Sequence, residues 1–206
     1  MEQKAFLFDG NRCTGCQTCV FACRDYNDLG LGFSFRKVCE YVAGTTGRED
    51  DGTHCSTCLA YSVSFACNHC ERPACAEVCP TGAMHREEPH GLLKVDRRRC
   101  IGCGYCHLAC PYGAPKVDRD KGCSVKCEGC SDRLQQGRLP VCVQACPARA
   151  LEFGCAKDFE HRAARADMAP FPPSSETVPN LFVIAGPQAQ RADEGTGLVE
   201  NSAIWR

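Results

Sequence analysis

The sequence predicts an α+β chain of two small, similar halves followed by an extended C-terminal tail. Three observations predict it. Cysteines recur in four tight quartets, short strand-like segments flank those quartets, and beyond Phe153 the composition shifts toward proline, glycine and polar residues.

The quartets come first because they replace a conventional core. At 206 residues the chain has room for one or two small domains, yet 21 of its residues are Cys. A core this poor in large aliphatic side chains does not offset chain entropy unaided. Disulfides fill that role in much shorter secreted domains. Here the cysteine total is odd and the gaps are two or three residues, which fits metal ligation better than pairing. The first quartet, Cys13, Cys16, Cys19 and Cys23, has the spacing C-x2-C-x2-C-x3-C, the bacterial ferredoxin run. The second, Cys67, Cys70, Cys75 and Cys79, opens its middle gap to four residues and ends before Pro80. The third, Cys100, Cys103, Cys106 and Cys110, restores the strict spacing and ends before Pro111. The fourth, Cys127, Cys130, Cys142 and Cys146, carries an eleven-residue loop before its third cysteine and ends before Pro147.

Strand-like segments lie beside these runs: Ala5 to Phe8, Tyr61 to Phe65, Leu92 to Val95 and Ala150 to Phe153. Each is too short to be a core alone. A small sheet over paired metal centres, with a short helix started within each Cys-x3-Cys step, is the ferredoxin-like arrangement. Arg36 to Ala60, with its Gly-, Thr- and charge-rich centre Gly44 to His54, reads as a surface insertion. Asp158 to Met168 reads as one short helix. Ala169 to Arg206 reads as an extended strip ordered by what it lies against, so that 156–206 forms a tail docking on a partner.

Iron bound to sulfide is soft and prefers thiolate, and four cysteines complete the tetrahedral irons of a 4Fe-4S cube. Two-residue gaps let one loop wrap three corners while its amides point at the sulfides. The fourth cysteine of a run ligates the other cluster in two-cluster ferredoxins, and the proline after it turns the chain away. Zinc is the competitor, since C-x2-C pairs build its structural sites. Only the fourth quartet has that two-pair form, so four 4Fe-4S clusters are the better reading.

The formal charge is −1, from 24 basic and 25 acidic side chains, so nothing argues for nucleic acid. Four oxidised clusters would bring it to about −9, so many Lys and Arg residues are expected to balance buried metal-centre charge. No segment reaches the ~18 apolar residues of a membrane span. Met1 to Phe8 lacks an apolar signal core and a twin-arginine pair, so the chain is expected to be soluble and carried to its site by a partner. No nucleophile–base constellation, phosphate loop or carboxylate pair stands out, and the chain is expected not to be an enzyme by itself.

The quartets, together with the runs Arg12 to Cys16, Cys67 to Cys75 and Cys106 to Pro115, resemble the iron–sulfur subunit of the dimethyl sulfoxide reductase family. These subunits carry four clusters and partner molybdenum (or tungsten) bis-pterin enzymes. The resemblance extends over nearly the whole chain. It implies crossed pairing, in which the first quartet pairs with the fourth and the second with the third. One cluster would be held by Cys13, Cys16, Cys19 and Cys146, and the next by Cys127, Cys130, Cys142 and Cys23. A third would be held by Cys67, Cys70, Cys75 and Cys110, and the last by Cys100, Cys103, Cys106 and Cys79. Residues 1–40 with 120–155 then make one ferredoxin-like half, and 41–119 make the other. Related nitrate reductase subunits have tryptophan at the position of Cys103 and a three-iron cluster there, so Cys103 implies a full 4Fe-4S centre. The implied function is electron transfer from a membrane quinol-oxidising anchor to a catalytic subunit that reduces an S-oxide, N-oxide or similar acceptor. A formate dehydrogenase or hydrogenase complex is the alternative. The implied location is at a membrane through partners, on the extracytoplasmic face by co-export, with the cytoplasmic face left open.

Other residues invite weaker readings. Cys39, Cys55, Cys58, Cys123 and Cys155 lie outside the quartets. Cys55 and Cys58, with Cys39 and His54, offer an extra metal site against the plainer reading of ordinary thiols. His69 and His107 sit inside cluster loops and are candidates to donate to cluster sulfur. Tyr105 and Tyr112 are read as shields against water. Arg97, Arg98 and Arg99 run into Cys100 as either a solvated face or a docking and tuning patch.

Overall fold

A computed structural model describes residues 2–204. Its elements are short, as the sequence predicts. The N-terminal part holds β1 (Lys4–Asp9), α1 (Thr18–Tyr26), β2 (Lys37–Ala43), β3 (Thr46–Arg48), β4 (His54–Ser56) and β5 (Leu59–Phe65). The middle holds α2 (Ala74–Glu77), β6 (Met84–Glu87), β7 (Leu92–Val95), α3 (Tyr105–Ala109), β8 (Lys116–Asp118), β9 (Cys123–Val125), α4 (Ser131–Gln135) and α5 (Val141–Ala145). The C-terminal part holds β10 (Leu151–Cys155), α6 (Ala156–Glu160), β11 (Ala164–Arg165), β12 (Leu181–Ile184) and β13 (Leu198–Val199). The architecture is mixed α+β, with several small sheets and few helices.

β1 is the axis of the main sheet, whose order is β10-β1-β12-β11. Its residues Ala5, Phe6, Leu7 and Phe8 are all buried, the pattern of a strand covered on both faces. Successive side chains point to opposite sides. Phe6 and Phe8 join the large core with Cys19, Cys142 and Cys146, while Ala5 and Leu7 pack with Ala156, Phe159 and Phe182. β10 lies antiparallel to β1, with Phe6 opposite Phe153, and their rings meet edge to face at 4.8 Å.

Residues 36–60 differ from the sequence expectation. Only the tip is a surface hairpin, made by the exposed strands β3 and β4. Lys37–Ala43 is a core strand paired along its whole length with β5, and Val38, Cys39 and Tyr41 are buried. The charged residues Arg36, Lys37 and Glu40 obscure the apolar alternation that marks a strand.

The C-terminal segment differs more. The helix expected over Asp158–Met168 is the shorter α6, which starts at Ala156 and gives way to β11. β12 then runs parallel to β1, with Leu181 beside Phe6 and Val183 beside Phe8. Leu181, Phe182, Val183 and Phe171 are all buried. β13 adds an edge to β2. Residues 169–204 are thus ordered by the rest of the same polypeptide, because the apolar run Leu181–Ile184 completes a sheet that β1 cannot finish alone.

Candidate metal-cluster sites

The four cysteine runs share one backbone design. In each, the third cysteine is the second residue of a short helix: Cys19 in α1, Cys75 in α2, Cys106 in α3 and Cys142 in α5. The second residue after the first cysteine is left-handed every time: Gly15 (φ 69°), His69 (φ 45°), Gly102 (φ 67°) and Gly129 (φ 71°). That conformation turns successive amides inward, making a concavity suited to an anion. A side chain at Gly102 would collide with the Gly122 carbonyl at 2.8 Å, so glycine is needed there for space as well as for φ.

Helix α1 packs on α5, and α2 on α3. This brings the first run beside the fourth and the second beside the third. One cavity is lined by Cys13, Cys16, Cys19 and Cys146. Another is lined by Cys23, Cys127, Cys130 and Cys142. Electrostatics report the same neighbours. Burial raises the Cys13 thiol, and Cys19, Cys146 and Cys16 raise it further. Burial pushes Cys23 up to about 12, helped by Cys142 and Cys130. Cys70, also pushed to about 12 by burial, feels Cys67 and Cys110. Cys75 is raised by burial and then by Cys67, Cys110 and Cys70. Cys106 is raised by burial and by Cys100 and Cys103, and Cys79, Cys100 and Cys110 pack against the buried cluster that holds Cys75 and Cys106.

The groups also succeed one another in space. Cys19 stands near Cys142, Cys127 near Cys67, and Cys75 shares a buried cluster with Cys106. Of the sixteen cysteines, Cys16 and Cys103 are exposed, and they belong to the first and last groups of this succession.

Groups around the runs hydrogen-bond with sulfur, the backbone amides as donors and Ser124 Oγ as an acceptor from the Cys106 thiol. Ser64 on β5 meets Cys19 at 3.4 Å, and Ser124 on β9 meets Cys106 at 3.4 Å, so two third-position cysteines have the same kind of partner. Backbone N–H groups of Ser124, Gly129 and Ala150 donate to Cys100, Cys127 and Cys146 at 3.3, 3.4 and 3.3 Å. Such donors suit thiolates and the sulfides beside them.

Buried polar atoms test whether a cluster fits. Among the described residues, those without a partner are Arg36 Nε and Nη1, Asn68 Nδ2 and His69 Nε2. Asn68 and His69 lie within the second run, and Arg36 Nη2 donates to Cys142 Sγ at 3.3 Å. Buried donors normally find an acceptor. Inorganic sulfide would supply one that the polypeptide does not.

His69 Nδ1 accepts the Leu93 N–H at 2.9 Å, which leaves the proton on the unpartnered Nε2. His107 instead spends Nδ1 on the Pro115 carbonyl at 2.8 Å. Tyr112 is buried and Tyr105 is exposed. Cys39 is buried with its thiol toward the Val63 carbonyl, whereas Cys55 on β4 and Cys58 just before β5 are exposed. Among the described residues no group of three or more His, Cys, Asp or Glu side chains is placed to hold a single metal ion, there or elsewhere. Arg36, Ser64 and Ser124 escape sequence reading, since a lone arginine or serine far from the ligands carries no spacing signal.

Comparison with known proteins agrees with this geometry. Residues 57–156 match the model of the 4Fe-4S dicluster domain. The sequence is 46% identical to the B subunit of the anaerobic dimethyl sulfoxide reductase of Haemophilus influenzae, over 98% of each protein. The protein belongs to the family of dimethyl sulfoxide reductase B subunits. The Escherichia coli B subunit is likewise 46% identical, over 97% of each protein. A thiosulfate reductase electron transfer subunit of Salmonella typhi is 41% identical over 74% of this chain and 76% of its own. As a member of the B-subunit family, the protein is a non-catalytic electron-transfer subunit of a reductase complex that carries 4Fe-4S clusters, with cysteines enough for four. No helix among the described residues is long and apolar enough to cross a membrane.

Proposed function

We propose that the protein relays electrons from a membrane quinol-oxidising anchor to a molybdenum-bis-pterin catalytic subunit whose acceptor is an S-oxide, N-oxide or similar compound. The observation that carries this reading is the succession of four cysteine groups with exposed thiols at its two ends, Cys16 and Cys103, and none among the two groups between them. An electron carrier between two proteins needs accessible ends and a dry middle. When bound, each 4Fe-4S cluster would take up and release one electron.

The ligand sets proposed are Cys13, Cys16, Cys19 and Cys146; Cys23, Cys127, Cys130 and Cys142; Cys67, Cys70, Cys75 and Cys110; and Cys79, Cys100, Cys103 and Cys106. The polypeptide's own work is to hold these thiolates in order, to donate hydrogen bonds to them and to exclude water between them. The proposed division makes residues 1–40 with 120–155 one half and 41–119 the other. Residues 156–206 form the proposed C-terminal tail that docks on the catalytic partner, while residues within it pack on both halves, as β12 does on β1 and Thr177 on Tyr112. Of the exposed apolar side chains, Phe21 lies on α1 with the first run, and Ile101, Tyr105 and Leu108 lie within five residues of Cys103 in the sequence, which suits docking at either end. The proposed site of action is the extracytoplasmic face. The relatives named above do not favour a formate dehydrogenase or hydrogenase complex.

The test is the anaerobically purified complex. Iron should saturate at about sixteen atoms per chain, and quinol should reduce all of the resulting clusters, with an S-oxide or N-oxide reoxidising them. Saturation at eight irons with every cysteine intact would remove the four-cluster reading.

A further inference from the structure

Arg36 immediately precedes β2, at the place where the first and fourth cysteine runs meet. Its side chain is 0% exposed, the largest fully buried side chain described. The guanidinium lies over the Phe6 ring, 4.7 Å from its centroid, and Nη2 donates to Cys142 Sγ at 3.3 Å. Nε and Nη1 have no acceptor in the protein.

A buried guanidinium ordinarily needs a carboxylate partner, because an unpaired charge in the interior is costly. Among the described residues no carboxylate pairs with Arg36. Burial works to lower its pKa, yet the net direction is upward, owing to Cys142, Cys19 and Cys127. These three thiols come from two different groups. Cys142 and Cys127 line the cavity that Arg36 shares with Cys23 and Cys130, while Cys19 lines the neighbouring cavity with Cys13 and Cys146.

We propose that Arg36 is a positioning residue for electron transfer, a fixed cation lodged between the first two cysteine groups that stabilises the reduced, more negative state of both. The proposal rests on the ligand sets given above. A positive charge favours whichever neighbouring state is more negative, and its effect is little screened where water is excluded. A cation between two centres therefore lifts both potentials together and leaves the step between them little changed. A space-filling role beside Phe6 would leave the potentials alone.

The test is a potentiometric titration, followed by paramagnetic resonance, of the whole complex carrying Arg36→Met or Arg36→Lys. With full iron, Arg36→Met should lower the equilibrium constant for reduction at least tenfold at both centres, 59 mV for a one-electron couple. The two centres beyond Cys127 should not move, and Arg36→Lys should restore most of the loss. Full iron with all four potentials unmoved in Arg36→Met would overturn the proposal. Should Arg36→Met lose iron, the unmutated complex grown with guanidino-15N arginine decides the matter. Pulsed resonance should then detect 15N coupling to a reduced cluster, and its absence in fully loaded protein would overturn the proposal. Iron short of sixteen in the unmutated complex would instead refute the ligand sets, and this inference with them.

Discussion

The Tyr112 hydroxyl meets the Thr177 hydroxyl at 3.1 Å, in the buried space where the C-terminal segment closes over the loop that follows Cys110. Nearby backbone bonds continue the closure: Arg72 and Glu71 N–H groups donate to the Thr177 and Val178 carbonyls at 3.0 and 2.8 Å, and the Asn180 N–H to the Asn68 carbonyl at 2.9 Å. Phe171 packs edge to face on both Phe65 and Tyr112. Truncation after Met168 should therefore destroy the fold. It removes β12 and four large buried apolar side chains, each worth about 2 kcal/mol or more, which together rival the whole stability of a domain. Limited proteolysis and iron content would show it, and a truncated protein with normal iron and protease resistance would contradict it. The milder Thr177→Val should cost about 1 kcal/mol, the loss of one buried hydrogen bond, seen as faster cluster loss on warming.

Crossing of the runs gives a second prediction. Cys23 lies on α1 with Cys19, yet its thiol faces Cys142 and Cys130. Cys23→Ser should alter the resonance signal that also changes on substitution of Cys127 or Cys130. If the altered signal tracks substitutions at Cys13 or Cys16 instead, the proposed ligand sets are wrong.

The cysteines outside the quartets should separate by reactivity. Burial pushes the Cys39 thiol up to about 12, and it donates toward the Val63 carbonyl. Thiolate is the reactive form, so at pH 8 a thiol with that pKa is on the order of 10⁻⁴ ionised, and the fraction rises tenfold per pH unit until about pH 12. Alkylation of the native complex at pH 8, read by mass spectrometry, should modify the exposed Cys55 and Cys58 and spare Cys39. Equal labelling of all three would show that β2 opens.

The candidate ligands stand out in the sequence because iron–sulfur loops fix cysteine spacing over a few residues. Leu92–Val95 is read to the residue for a similar reason, since a short apolar run bounded by turns has few alternatives. β12 is missed because Leu181–Ile184 is diluted by the prolines and polar residues around it, and a window average hides a four-residue strand whose partner lies about 175 residues away, far beyond the reach of local patterning. Arg36 and Lys37 suggest surface in sequence, yet both are buried. The sulfur atoms around Arg36 belong to Cys142, Cys19 and Cys127, which come from separate runs, so only folding brings them to it.

Arg97, Arg98 and Arg99 support the last prediction. All three are exposed, Arg98 pairs with Asp96 at 3.6 Å, and Arg99 donates to the Thr81 carbonyl at 2.7 Å, bracing the turn after Cys79. Arg99 thus has a structural duty that Arg97 and Arg98 lack. At an effective dielectric near ~20 and ~8 Å, one charge is worth about 2 kcal/mol before screening. Exposure and salt reduce this to a few tenths, on the order of 10 mV for a one-electron couple. Replacing Arg97 and Arg98 with Gln should therefore shift the potential of the cluster at Cys100 by no more than about 20 mV on the same scaling. Binding to the membrane anchor should weaken more at low salt than at high salt, since exposed charges act mainly through long-range attraction. Arg99→Gln should do something different, loosening the Thr81 turn and speeding cluster loss while leaving the salt dependence unchanged. Anchor binding that is insensitive to salt in both the unmutated and the doubly substituted complex would leave Arg97 and Arg98 as a solvated face.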